Sequence, residues 1–387
     1  MSGAPAIRFL KDAEGNRVAY AAHGAGPLIV CPAWWVSHLE KDWEDPDFCS
    51  FFTTLARSFT VVRYDRPGVG LSDRNVAVRT LAAETRLLAD LVDHLGEERV
   101  SLFCVSCGGP PGIRYAAEHP DRVNRLVFAN SFVLGSDLGP AAVRSALTGL
   151  VRAHWGMGSK ALADVFFPDC DGDTITRFSR AQRDRADVER AAELLELTFA
   201  MDATEAVARV RAPALVIHRR GDRACPFEAG RHIAAELPDA TLVPREGSMH
   251  LPWVAGSGIA EIALAFFAGE SVVAAGSGAA REGHATAGDG APALLDLDHR
   301  ALRIDGEFVR LTPLEFGVMR RLTTRPGVVV TRDELLEHVW NQPFAGSNKV
   351  EAVVRTLRKK LGRHANLIET VIGHGYRFGD PPAEATH

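Results

Sequence analysis

An α/β chain built on a mostly parallel sheet, with a smaller domain after it, is the fold this 387-residue sequence predicts. Three observations carry the prediction. Short Val/Leu/Ile runs alternate with amphipathic helical patterns as far as residue 267, as expected for strands whose two faces are covered by helices. Residues 268–292 are dominated by Ala and Gly; such a composition buries no core and reads as a flexible linker. Charge is also divided. The formal net charge is −5, yet residues 349–379 hold seven Lys/Arg against two Asp/Glu, so that stretch is +5 and the rest −10. A composition of 46% hydrophobic and 24% charged residues excludes a disordered chain. The six cysteines follow no zinc or disulfide spacing, which suits a reducing compartment. No apolar run reaches the roughly 18 residues of a membrane span. The start, MSGAPAIRFLKDAEGN, lacks a signal peptide's apolar centre. A cytoplasmic protein with no membrane partner is expected.

The elements follow in order. Strands are predicted at PLIV (27–30), FTVVRYD (59–65), RVSLFCVS (99–106), RLVFANS (125–131) and PALVIHRR (213–220). Residues 133–211 break the rhythm with helical patterns such as DVERAAELLELTF and read as an inserted helical cap. The second domain spans 293–380. It opens with strand alternation (LLDLDHRALRIDG), passes through helices and ends in a glycine-bounded ribbon, with a tail at 381–387.

A candidate nucleophile lies in Cys104-Val105-Ser106-Cys107-Gly108-Gly109, between an apolar strand and the helical PPGIRYAAEHP. A serine on such a turn presents its hydroxyl above the sheet edge, and the N–H of Cys107 begins a helix, where it can stabilise an oxyanion. Cys104 stands where the G-x-S-x-G pattern has glycine. After the strand 213–220 comes Gly221-Asp222-Arg223-Ala224-Cys225-Pro226, a strand-end carboxylate suited to orient a base. Then comes Glu246-Gly247-Ser248-Met249-His250, which supplies the base. In this order Asp222 fixes the tautomer of His250, and His250 deprotonates Ser106.

With these residues in view, residues 1–267 resemble the α/β-hydrolase superfamily. Tyr64-Asp65-Arg66-Pro67-Gly68-Val69-Gly70-Leu71-Ser72-Asp73 is similar to a turn many members carry as YDxRGxGxSD. Trp34-Trp35-Val36-Ser37-His38-Leu39-Glu40 resembles hydrolase domains fused to bacterial regulators and cyclases. The family's His-Gly after the third strand is here Cys31-Pro32. Proline has no N–H, so the resemblance implies a second oxyanion donor at Ala33 or Trp34 beside Cys107. Cys31, Cys104, Cys107 and Cys225 map to loops around this site. They read either as a thiol or soft-metal sensor or, preferably, as small apolar fillers of strand ends. Trp34, Trp35, Trp155, Phe166, Phe167, Phe199 and Trp253 fall where they either line a cleft for an apolar or aromatic ligand or form cap core. No metal cluster or phosphate loop is visible, and no cofactor is expected.

A second constellation is the segment Asn348–Leu361. Val350, Val354, Leu357 and Leu361 form one apolar stripe. Opposite lie Asn348, Ala352, Arg355, Thr356 and Lys359, flanked by Arg358 and Lys360. A helix with an apolar back and a basic front fits a DNA major groove. LIETV and Gly373-His374-Gly375-Tyr376-Arg377-Phe378 form a ribbon that fits a wing. Residues 293–380 thus resemble the winged-helix effector of OmpR/PhoB-type response regulators. The matching segments are Leu311–Phe316, Arg332–Leu336, Val339-Trp340, Leu357–Leu361 and Gly375–Phe378. Val353 and Thr356 stand where relatives commonly carry His and Arg. The resemblance implies double-stranded DNA as partner, bound by a homodimer on repeated half-sites. The expected contacts are Asn348, Lys349, Arg355, Thr356, Arg358, Lys359, Lys360, Tyr376 and Arg377, with Arg355 and Thr356 on bases and Arg358 and Lys359 on phosphates.

Three functions fit this pairing: a one-component regulator whose hydrolase domain binds and slowly cleaves a small-molecule effector, a working ester or lactone hydrolase tethered to DNA, or a catalytically dead fold serving as a dimerisation or partner surface. A complete Ser-His-Asp set speaks against the third and a complete winged helix against a plain metabolic enzyme, so the first is the expectation.

Overall fold

The computed structural model describes residues 4–270 and 293–379, apart from 78, 169, 171, 255–256, 297–300, 305–306, 324–326, 337–338 and 340–347. The chain divides into two compact units, Met1–Ala280 and Arg281–His387. The segment read as a linker lies outside the described residues from 271 to 292, as does the tail.

In the first unit, eight strands form one sheet. They are β1 (Ile7–Lys11), β2 (Arg17–Gly24), β3 (Leu28–Cys31), β4 (Thr60–Tyr64), β5 (Val100–Val105), β6 (Val123–Ala129), β7 (Ala214–Arg219) and β8 (Ala240–Arg245). Their order is β1-β2-β4-β3-β5-β6-β7-β8. β1 and β2 pair antiparallel, as do β2 and β4; the remaining pairs are parallel. The five strands expected from sequence are present. The hairpin β1–β2 and the edge strand β8 are additional.

Alternation along β5 feeds both faces. Leu102 and Cys104 join a core with Leu87, Leu88, Leu91 and Ile113. Phe103 and Val105 join the other core, with Phe48, Phe51, Phe52, Ile259 and Ala263. The helices of this unit are α1 (Leu39–Asp42), α2 (Pro46–Leu55), α3 (Leu81–Leu95), α4 (Gly109–Glu118), α5 (Ala141–Ala153), α6 (Trp155–Phe166), α7 (Gly172–Arg185), α8 (Val188–Ala200), α9 (Thr204–Val207), α10 (Phe227–Glu236) and α11 (Ile259–Phe267). α5 to α9 lie between β6 and β7 and carry their own apolar cluster, which includes Val151, Leu162, Leu194 and Leu195. Polar bolts tie this cap to the sheet loops. Arg185 pairs with the buried Asp42 at 2.6 Å, and Arg190 donates to the Val76 carbonyl at 2.8 Å.

In the second unit, β9 (Ala293–Asp296), β10 (Ala301–Ile304) and β11 (Glu307–Arg310) form an antiparallel sheet. Then follow α12 (Pro313–Thr323), β12 (Val330–Thr331), α13 (Arg332–Leu335), α14 (Asn348–Leu361), β13 (Ile368–Val371) and β14 (Gly375–Phe378). The start of α12 is a capping box: the Glu315 N–H donates to Thr312 Oγ1, and Glu315 Oε2 accepts from the Thr312 N–H. Val350, Val354, Leu357 and Leu361 of α14 are buried in one core with Val318, Met319 and Leu322 of α12. β12, β14 and β13 form the second small sheet.

Candidate active site and nucleic-acid interface

β5 ends at Val105, and Ser106 turns the chain with φ 51°, a left-handed conformation that an L-residue adopts at a cost. The 3-10 turn Ser106–Gly108 leads into α4. Close approach explains the glycines that follow. A Cβ on Gly108 would lie 2.8 Å from the Pro32 carbonyl oxygen, and one on Gly109 would meet Ser131 Oγ. That Ser131 hydroxyl donates to the Ser106 carbonyl at 2.6 Å. Cys104 also has a steric explanation. Gly112, one turn into α4, leaves room for its sulfur: a Cβ there would collide with Cys104 Sγ. We predict that Gly112→Ala lowers stability by about 1–3 kcal/mol through overpacking. Adding Cys104→Ala should restore most of it, and thermal unfolding of the pair checks this. A double variant no more stable than Gly112→Ala would refute the contact.

Ser106, His250 and Asp222 meet in one hydrogen-bonded chain. His250 Nε2 is 2.9 Å from Ser106 Oγ, and His250 Nδ1 is 2.8 Å from Asp222 Oδ2. Asp222 Oδ1 accepts from the N–H groups of Ala224 (2.9 Å) and Cys225 (3.0 Å), which leaves Oδ2 to the histidine. The Asp222 and His250 side chains are buried. Two residues absent from the sequence reading hold the histidine loop. Asn130, at φ 48° after β6, donates to the His250 carbonyl and accepts from the Arg219 N–H. Arg219 Nη1 donates to the carbonyls of Met249 and Leu251. An asparagine just past a strand end, tolerant of positive φ, was the available signal.

Ala33 and Trp34 are buried on the loop leaving β3, which the Pro32–Gly108 approach brings alongside the turn carrying Cys107. The aromatics divide. Trp34 and Trp253 pack with Phe48 and Phe52 in the sheet core. Trp35 instead contacts Trp155 and Phe166 of α6, and Phe166 stacks on the His250 ring at 5.0 Å. Phe167 packs on Phe178, and Phe199 lies beneath Arg144. Cys31, Cys104, Cys107 and Cys225 are buried, and Cys225 Sγ donates to the Ser131 carbonyl at 3.2 Å. Burial pushes the Cys31 thiol up to about 12 and holds Cys104, Cys107 and Cys225 above the usual thiol range, so they stay neutral. Among the described residues, no group of His, Cys, Asp and Glu is arranged to hold a metal ion, and no helix is long and apolar enough to cross a membrane.

The turn after β4 is organised by Asp65. Its carboxylate accepts from Ser37 Oγ (2.6 Å) and from the N–H groups of Leu39 and Leu71. Burial outweighs these bonds and raises its pKa from 3.8 to about 6. Its contribution to stability is therefore full below pH 3.8 and is lost as pH rises through about 6. Asp65→Asn lacks this titration. Wild type should gain up to roughly 3 kcal/mol on the variant between pH 7 and pH 4. A pH-independent difference in unfolding free energy would contradict the assignment.

In the second unit, Arg355, Thr356 and Lys359 are exposed on α14, opposite its buried stripe, and Lys349 is exposed at the start of the helix. Asn348 begins that helix, and its side chain lies outside the described residues. Three expected contacts are instead engaged within the fold. Arg358 donates to the Ile368 carbonyl and to Thr370 Oγ1 and so anchors β13. Lys360 pairs with Glu315 at 2.6 Å and donates to the Arg310 carbonyl. Arg377 pairs with Glu369 across the hairpin at 2.6 Å. Tyr376 corrects the sequence reading: it is 3% exposed, within the core and under Arg332, so its ring is not offered to DNA. The hairpin tip is Ile372, Gly373 and His374, with Ile372 89% exposed.

The class defined by the first unit is the α/β-hydrolase fold, whose family model matches residues 26–202. The chain joins that domain to a C-terminal domain of transcriptional regulatory proteins, of the OmpR/PhoB type, matched over residues 306–378. Among relatives, the transcriptional regulatory protein CseB of Streptomyces coelicolor is 40% identical over 85 residues, covering 22% of this chain and 36% of that protein. The chain spans about a third of the length of the first transcriptional regulatory proteins it matches. A 2-hydroxy-6-oxononadienedioate/2-hydroxy-6-oxononatrienedioate hydrolase of Burkholderia vietnamiensis is 28% identical over 246 residues, 61% of this chain and 81% of that one. The crystal structure of a hydrolase from Pseudomonas aeruginosa matches with TM-score 0.57 and 26% identity, covering 72% of this chain and all of that one.

Proposed function

We propose that the protein is a one-component, DNA-binding transcriptional regulator whose hydrolase domain binds a small-molecule effector and slowly hydrolyses it through Ser106, His250 and Asp222. The observation that carries the reading is the hydrogen-bonded chain from Asp222 to Ser106, with the serine held at positive φ. In this mechanism His250 Nε2 takes the serine proton, Asp222 holds the imidazole in the reactive tautomer, and N–H groups of Cys107 and of Ala33 or Trp34 receive the oxyanion. The effector is an apolar or aromatic molecule carrying a carbonyl. Trp35 and Phe166 supply an apolar wall beside His250, and Trp35 Nε1, buried with no hydrogen-bond partner among the described residues, is a donor for such an oxygen. No cofactor enters the chemistry. On the DNA side, two protomers place Arg355, Thr356 and Lys359 on neighbouring half-sites, and effector occupancy acts through dimerisation, which sets the effective concentration of the second recognition helix. Intact-protein mass after exposure to a small fluorophosphonate tests the nucleophile. One adduct on wild type and none on Ser106→Ala supports the reading; folded wild type without an adduct refutes it.

A further inference from the structure

Arg66 is fully buried, yet it occupies the junction of the two segments that meet at the serine turn. Its Nη2 donates to the Ala33 carbonyl at 2.5 Å and lies 3.7 Å from Cys107 Sγ. On the other side, Nε is 3.6 Å from Glu84 Oε2, and Glu84 Oε1 accepts from Arg79 at 2.9 Å. The Ala33 carbonyl and the Trp34 N–H belong to one peptide unit. A cation hydrogen-bonded to that carbonyl draws electron density toward its oxygen and makes the N–H a stronger donor. At a fully buried site the local dielectric is low, which strengthens the effect. Among the described residues its Nε and Nη1 have no hydrogen-bond partner, so the guanidinium is buried without being fully satisfied. The arginine also stands one residue earlier than in the YDxRGxGxSD pattern, whose arginine position is Pro67.

We propose that Arg66 is a positioning residue of the serine site: it holds the Ala33–Trp34 peptide unit against the serine turn and polarises the Trp34 N–H toward the developing oxyanion. The proposal rests on Ser106 acting as nucleophile. When Ser106 Oγ bonds to a carbonyl carbon, its proton passes to His250 Nε2 and the carbonyl π electrons move onto the oxygen. That oxygen is the group the polarised N–H stabilises.

The test is the rate of phosphonylation by a small fluorophosphonate, in which Ser106 Oγ bonds to phosphorus and fluoride leaves. It is followed by intact mass from pH 5 to 9, beside thermal unfolding. Wild type, Arg66→Lys, Arg66→Met and Glu84→Gln are compared. Arg66→Met should react about 10- to 100-fold more slowly, with the pH midpoint of the reaction unmoved. Arg66→Lys, which keeps the cation, should recover most of that loss. Glu84→Gln, which leaves Arg79 an acceptor but removes the anion that orients Arg66, should slow the reaction about 3- to 10-fold through lost positioning of the Ala33–Trp34 peptide unit. If Arg66→Met does not fold, the lysine and Glu84→Gln variants carry the test. Wild-type rates in Arg66→Met or Glu84→Gln would overturn the proposal. So would losses that track the melting temperature, a moved pH midpoint, or a lysine variant as slow as methionine. Wild type that takes no adduct would overturn the nucleophile reading itself, an outcome distinct from these.

Discussion

Asp222→Asn should slow the reaction of Ser106 with a fluorophosphonate by about four orders of magnitude while leaving the melting temperature nearly unchanged. The size follows from the hydrogen-bond pattern. Asp222 Oδ1 is held by the N–H groups of Ala224 and Cys225, so the single oxygen of an asparagine takes that place. Its NH2 group then faces His250 Nδ1 and donates to it. The proton of the neutral imidazole moves to Nε2, the atom 2.9 Å from Ser106 Oγ, and the base loses the lone pair it needs. Ser106→Ala removes the reaction altogether. Kinetics by intact mass, with thermal unfolding as the control for folding, checks both. An Asp222→Asn protein that reacts at the wild-type rate would show that the buried carboxylate has no part in activating the serine.

The second large effect is expected at the DNA interface. Arg355→Ala should cost about 1–3 kcal/mol on a cognate site and relax base preference at the position it reads. Lys359→Ala should instead weaken binding evenly across sequences and reduce the salt slope by about one. Both side chains are exposed on the front of α14. Arg358 and Lys360 sit on the same helix but are tied to β13 and to Glu315. Their removal should therefore appear mainly as lost stability of the second unit. Titration of each variant on a duplex selected from random sequence separates these cases. Unchanged affinity and specificity in Arg355→Ala would refute the groove-facing assignment.

Much of this was legible in the sequence because the signals were local and periodic. Buried parallel strands such as β5 and β7 are continuous apolar runs, and α14 shows its apolar stripe at steps of four, three and four. Ser106, Asp222 and His250 were each recognisable from a strand end and a glycine-bounded loop. What escaped reading depends on distant partners. β1 and β8 are half-exposed edge strands without an apolar run, and β8 carries a proline. Nothing local distinguishes Trp34, which packs in the sheet core, from Trp35, which packs against the cap. The basic front of α14 reads as one charged face, and only the structure shows that Arg358 and Lys360 are already engaged. The tolerance for Cys104 is likewise settled by Gly112, eight residues on and in another element. Asn130 and Arg219, which hold the His250 loop, lie at the ends of strands distant in sequence from the histidine.

The claim that joins the two halves is that occupancy of the serine site changes DNA binding. The most direct measurement is the dissociation constant of the full chain for a selected duplex, before and after complete phosphonylation of Ser106. The same reagent is applied to Ser106→Ala. The account predicts a shift of about tenfold or more in the labelled wild type, confined to it, since a bound group must discriminate between states to move the equilibrium. An unchanged constant in fully labelled protein would contradict it and leave a hydrolase domain that is merely joined to a DNA-binding one.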